Sequence, residues 1–99
     1  MNTRFTARHF NASDQLQQHA IQSAEKLQKY YDGIIDCEIV LQPNKDPEEP
    51  QLAEFNIRVA KEHLKASESA PTYEQAIGKV VDNMKRQLLK YKNKKVVKN

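Results

Sequence analysis

The chain has 99 residues, 38% hydrophobic and 29% charged, with a net charge of +3, two glycines and one cysteine. That length suits a single domain, expected to span residues 1–99, and the balance of apolar and charged residues is that of a globular protein rather than a disordered one. The lone Cys37 excludes an internal disulfide or a multi-thiolate metal site, and no run approaches the roughly 18 apolar residues of a membrane helix.

MNTRFTARHF has no apolar stretch of the secretory kind, so a cytoplasmic protein is expected. Residues 3–9 alternate around Phe5 and Ala7 and predict a first strand. Ser13 is placed to cap a helix over about 14–31, whose Leu16, Ala20, Ala24, Leu27 and Tyr31 trace one face. Gly33 follows as the expected left-handed stop. In residues 34–41, Ile35, Cys37, Ile39 and Leu41 share one face of a second strand, with Asp36 and Glu38 on the other. Three prolines in residues 42–50 mark a surface loop.

Residues 52–59 alternate again, with Ala53, Phe55, Ile57 and Val59 inward. A short turn at Ala60–Glu62 leads to a fourth strand over 63–68, with Leu64 and Ala66 inward. From about 73 to 92, Tyr73, Ile77, Val80, Val81, Met84, Leu88 and Tyr91 form one helical stripe, with Thr72 as the candidate cap. Residues 93–99 are left as a basic tail after an ordered core of about 2–92. The expected fold is α+β: a two-layer β-α-β-β-β-α sandwich with two helices on one face of a four-stranded sheet and the other face open to water.

Nothing in the sequence is equipped for catalysis. His9, His19 and His63 are far apart without metal-ligand spacing, and no nucleophile elbow, phosphate-binding loop, zinc-helix motif or dinucleotide glycine pattern occurs. No enzyme activity, cofactor, metal or small-molecule substrate is expected.

Charge is distributed unevenly. Residues 79–98 hold eight of the sixteen lysines and arginines against the single acid Asp82, a net +7. The rest of the chain has eight basic and twelve acidic residues, a net −4. Such polarity suits a polyanionic partner. On a helical projection Lys79, Arg86 and Lys90 fall within about 40° of one another, with Asn83 and Lys94 at the margin, while Lys85 and Lys92 line the opposite flank. Gln22, Lys26 and Lys29 form a weaker row on the first helix. If both helices cover one sheet face, their outer flanks could join as one positive groove for phosphates. Phe55 faces the core, so the strands offer no aromatic platform for single-stranded RNA, and structured RNA read by shape and backbone is the better fit.

The segment from Thr72 to Lys94 resembles the signature of the ribosome hibernation-promoting factor family, which includes ribosome-associated inhibitor A (protein Y). The matching residues are Ala76, Ile77, Asp82, Arg86, Gln87, Leu88, Lys90 and Lys92; the K26-L-Q-K-Y-Y31 ending of the first helix and the R8-H-F10 segment are also similar. The resemblance implies a fold like that of double-stranded RNA-binding domains. It also implies docking between head and body of the small ribosomal subunit, over the mRNA channel and tRNA sites, and inhibition of translation by occlusion.

The 16S rRNA contacts it implies are Lys26, Lys29, Lys79, Arg86, Lys90 and Lys92, to which charge geometry adds Lys85 and Lys94. Gly78 stands where the family has Asp, Asn83 where it often has Lys, and the turn at Ala60–Glu62 lacks its usual glycine. The short basic ending resembles the short hibernation-promoting type, expected as a monomer off the ribosome. Whether bound ribosomes dimerise or stay single is open at this stage. The competing reading is a protein–protein interaction module using the sheet face at Asp36, Glu38, Glu54 and Arg58, with an incidentally basic helix surface.

Overall fold

Four strands in the order β1-β2-β3-β4 carry two helices on one face in a computed structural model, which describes residues 1–97, with side chains through Lys94. The strands are β1 (Asn2–Ala7), β2 (Asp36–Pro43), β3 (Gln51–Val59) and β4 (Glu62–Ala70). The helices are α1 (Asp14–Glu25), continued by a 3₁₀ turn over Lys26–Lys29, and α2 (Tyr73–Val97). β1 pairs parallel with β2, and the other two pairings are antiparallel, so the sheet is mixed. The order β-α-β-β-β-α is the expected one. Only β1–β2 needs a crossover, and α1 supplies it.

Both helices begin at the same end of the sheet. β1 ends at Ala7 beside Leu41, and β4 ends at Ala70 beside Gln51, so α1 and α2 set out from the two edge strands at the same end of the sheet and run alongside each other. Aromatic pairs tie them at each end. Phe10, just before α1, stacks on Tyr73 with centroids 4.6 Å apart, and Tyr31 meets Tyr91 edge-on at 5.4 Å. The core between helices and sheet is filled from α1, the 3₁₀ turn, β2, β3 and α2 by Ala20, Ala24, Leu27, Ile39, Leu41, Phe55, Ile57, Ile77, Met84 and Leu88, all fully buried. Alanine at 20 and 24 lets α1 lie close to the strands.

The caps are where the sequence placed them. Ser13 Oγ accepts from the Leu16 amide at 3.1 Å, and Thr72 Oγ1 accepts from the Gln75 amide at 3.1 Å. Several boundaries move. β1 stops at Ala7 because His9 takes a positive φ of 66° that turns the chain toward α1. The first helix was expected to continue to Tyr31; it tightens into the 3₁₀ turn after Glu25, and Tyr31 falls outside it, against Tyr91. β4 is longer than 63–68, and α2 runs on to Val97 through much of the segment expected as a tail; Lys98 and Asn99 lie outside the described residues.

Gly33 is not a left-handed cap, for no glycine has positive φ; a Cβ there would lie 2.7 Å from the outer atoms of the Tyr31 ring, which would have to shift to admit a side chain. Ile35, expected inward, is 42% exposed while Ile34 is buried, because the strand begins only at Asp36. The turn lacking a glycine places Lys61 at φ 77°, a conformation glycine adopts without strain. Gly78 is exposed with open space around its Cα, so it costs α2 up to about 1 kcal/mol against alanine without serving any close contact.

Cys37 lies under α1 and α2 at no exposure. Burial pushes its thiol up from 9.0 to about 12, and neighbouring Asp36 and Glu38 push in the same direction. The folded state therefore keeps the proton that the unfolded chain gives up first. This contribution to stability is intact below pH 9 and is lost as pH rises toward 12, by up to about 1.4 kcal/mol per pH unit. We expect Cys37→Ala to flatten the alkaline decline in urea-unfolding free energy over that window. We also expect iodoacetamide to label Cys37 only on unfolding; rapid labelling of the native protein would contradict a buried, protonated thiol.

Candidate nucleic-acid interface

Beyond its buried stripe, α2 has three flanks, and their neighbours determine what their charges do. One flank overhangs the edge strand β4, one faces α1 and the 3₁₀ turn, and the third points to water.

The β4 flank is a comb of polar side chains four residues apart. Lys79 Nζ donates to the Ser69 carbonyl at 2.7 Å, Asn83 Nδ2 donates to Glu68 Oε2 at 2.9 Å, and Gln87 Nε2 donates to the Lys65 carbonyl at 2.9 Å. Gln87 also donates to Asn83 Oδ1 at 2.9 Å, joining two teeth of the comb. These contacts occupy backbone carbonyls that an exposed edge strand would otherwise offer to another chain. Lys79 also pairs with Glu49 at 3.3 Å, and Glu49 accepts from Ser69 Oγ at 2.9 Å. The proline-rich loop is thereby pinned to α2 and β4, with Asn44 Nδ2 donating to the Glu49 carbonyl at 2.9 Å.

The sequence groups Lys79 and Asn83 with Arg86 and Lys90. In the fold, Lys79 and Asn83 are turned toward β4. Asn83 fills a place in a hydrogen-bonded network, and it is not a gap in an outward cationic row. A helical projection gives which residues share a flank but not which element lies beneath them. The spacing of polar residues at 79, 83 and 87 beside the apolar stripe was the available signal.

Arg86 points outward and Lys90 lies toward the start of β4; both are exposed, as are Lys92 and Lys94. Lys90 and Lys94 border a cleft of about 250 Å³ with Gln87, Tyr91, Leu64 and Glu62. Tyr91 closes the base of this end by donating its hydroxyl to the Ala60 carbonyl at 2.6 Å.

On the α1 side, Lys26 and Lys29 project from the 3₁₀ turn, and Lys85 Nζ lies 4.9 Å from the centroid of the Tyr30 ring. Among the described residues the ion pairs are Arg58–Asp36, Lys65–Glu54 and Lys79–Glu49. None involves Lys26, Lys29, Lys85, Arg86, Lys90, Lys92 or Lys94. Seven cations thus lie along the second half of α2 and on the 3₁₀ turn without an ion-pair partner among the described residues.

These cations do not form one continuous groove. Because α1 lies along only one flank of α2, Lys26, Lys29, Lys85 and Lys92 lie on that side of the helix, while Arg86 occupies the outward crest and Lys90 and Lys94 fall beyond it toward β4. The groove between the helices, about 680 Å³, carries mixed charge nearer their starts, with His19, Lys26 and Lys79 set against Glu74 and Asp82. The cationic surface is therefore a saddle over the far end of α2.

The open sheet face is different. Arg58 Nη2 sits 2.7 Å from Asp36 Oδ2, Lys65 sits 3.7 Å from Glu54, and Asn56 donates to Glu54 at 2.8 Å. Val40 is buried on this face between Thr6 and Glu54 of the flanking strands. Its charges are largely matched among themselves. Among the described residues there is no group of three or more histidines, cysteines or carboxylates able to hold a metal, and no helix is long and apolar enough to cross a membrane.

Comparison with known proteins gives a consistent picture. The family model described as Sigma 54 modulation protein / S30EA ribosomal protein matches residues 3–96. A ribosomal subunit interface protein from Coxiella burnetii superposes with a TM-score of 0.84 at 18% identity, over 94% of this chain and 99% of that one. The N-terminal domain of Thermus thermophilus Protein Y superposes with a TM-score of 0.78 at 20% identity, over 92% of this chain and 99% of that one. At these identities the likeness shows the fold. No curated protein sequence matches the chain significantly.

Proposed function

Since the chain belongs to the Sigma 54 modulation protein / S30EA ribosomal protein family, a ribosome-associated family, we propose that it binds the small ribosomal subunit through 16S rRNA and idles translation by occupying the mRNA channel and tRNA sites between head and body. The observation that carries this reading is the saddle of unpaired cations. Phosphate recognition needs several positive groups held at fixed separations by rigid elements, and two packed helices provide that. Arg86, Lys90, Lys92 and Lys94 are the proposed contacts from α2, with Lys85 on the flank facing α1. Lys26 and Lys29 are the proposed contacts from the 3₁₀ turn. Lys79 is the weakest member of the set, since a phosphate would have to displace Glu49.

The action proposed is steric. A bound protein of this size, with extents of 46 × 25 × 19 Å, fills a channel meant for mRNA and tRNA without any bond being made or broken. No cofactor or small-molecule substrate enters, and the protein acts in the cytoplasm, as a monomer until it docks. The competing protein–protein reading would use the sheet face, whose internally matched charges give it little support.

Co-sedimentation with ribosomes through a sucrose gradient tests the proposal. The protein is expected to travel with small subunits or whole ribosomes at low salt and to be lost as salt rises. Neutralising about four or five phosphates gives a slope of log K against log salt of roughly −3 to −4. A protein that stays at the top of the gradient at every salt concentration overturns the reading.

A further inference from the structure

The surface around Tyr30 differs in kind from the rest of the cationic end. We propose that it is a stacking site for one unpaired base of the bound RNA, a contact that rests on the ribosome-binding reading and adds base recognition to it. Tyr30 closes the 3₁₀ turn directly after Lys29. Its ring rests against the core, remains partly exposed, and is capped by the ammonium of Lys85. Leu89, one turn along α2 from Lys85, is 37% exposed, an unusual place for a large apolar side chain in this molecule; Lys92 follows on the same side of the helix. An aromatic face and an exposed leucine thus sit among Lys26, Lys29, Lys85 and Lys92.

The exposed part of the Tyr30 ring and Leu89 give this cationic surface an apolar patch that phosphates alone do not use. A base does: every nucleobase has a π-face that stacks on an aromatic ring whatever the sequence, while cations around the ring hold the flanking phosphates. Lys85 occupies the position a base would take. A cation over a partly exposed ring is held weakly, so an incoming base can displace it. The released ammonium then swings to the phosphate of the same nucleotide, and no charge is lost from the interface. The strands carry no such platform, because Phe55 is buried. The site places base recognition on the flank facing α1, beside Lys26 and Lys29, while Arg86 on the crest and Lys90 and Lys94 beyond it are left to phosphates.

The test uses the full chain on small ribosomal subunits. Tyr30→Leu is expected to bind roughly tenfold more weakly, with its melting temperature and its slope of log K against log salt unchanged, because no phosphate contact is removed. Tyr30→Phe should restore wild-type affinity. Short-wave ultraviolet irradiation of the wild-type complex, followed by peptide mass spectrometry, should place an RNA adduct on Tyr30. Adducts elsewhere with Tyr30 unmodified, or wild-type affinity for Tyr30→Leu, would overturn the stacking site while leaving ribosome binding in place. Failure of the wild-type chain to bind subunits at all would overturn the ribosome reading and this site with it.

Discussion

Arg86→Glu/Lys90→Glu should lower affinity for the small ribosomal subunit by at least about a hundredfold at about 0.1 M salt, while leaving the fold intact. Each phosphate contact contributes roughly one decade of affinity at that salt through counter-ion release, and the two substitutions remove two contacts and add repulsion. The slope of log K against log salt should become shallower by about 2. Stability should hold because neither side chain takes part in an ion pair among the described residues and both are exposed.

Lys79→Gln is the informative comparison. It lies in the same sequence row, yet its ammonium is engaged by Glu49 and the Ser69 carbonyl. Its loss should loosen the proline-rich loop and change the salt slope far less. Gradient co-sedimentation or filter binding across a salt series distinguishes the two. Equal effects at Lys79 and Lys90 would mean that the Glu49 and Ser69 contacts do not withhold Lys79 from the RNA.

That contrast shows where sequence reading ends. The elements themselves were legible: alternation in β2 and β3, capping at Ser13 and Thr72, and the stripe from Tyr73 to Tyr91 each follow from a local rule that the structure obeys. The charge polarity was legible too, since it requires only counting. What a sequence does not contain is the identity of a flank's neighbour. Lys79, Asn83 and Lys90 look equivalent until β4 is set beside α2, at which point two of them become ligands of an edge strand.

Gly33 misled for a related reason. Its place after a helix suggests a left-handed cap, whereas its φ is negative and what a side chain there would meet is the ring of Tyr31, two residues away. In the sequence Tyr30 stands out only as part of a family-like helix ending. Its pairing with Lys85 depends on α1 and α2 running side by side, which follows from strand order and not from either helix alone.

Phe55→Ala should produce the opposite phenotype to the charge reversal. Phe55 is the largest of the fully buried side chains, on the helix-facing side of an interior strand, paired with Ile39 and Ala66. Truncation leaves a cavity that packed neighbours fill only in part, at a cost of about 3–5 kcal/mol. A domain of this size has only about 5–15 kcal/mol in total, so the variant should melt well over 10 °C lower and show a reduced urea midpoint at unchanged slope. The cations proposed to hold RNA sit on the far side of the helices, so whatever fraction of Phe55→Ala is folded should bind with near wild-type intrinsic affinity and salt slope. Subunits bind only the folded state, so adding them in excess should raise the apparent melting temperature of this variant, by mass action. Such rescue is expected for Phe55→Ala and not for Arg86→Glu/Lys90→Glu, which is folded but has lost the surface that couples folding to the ribosome. If Phe55→Ala instead lost the salt dependence of its remaining binding, the saddle would have to depend on core packing, and the separation of fold from interface would fail.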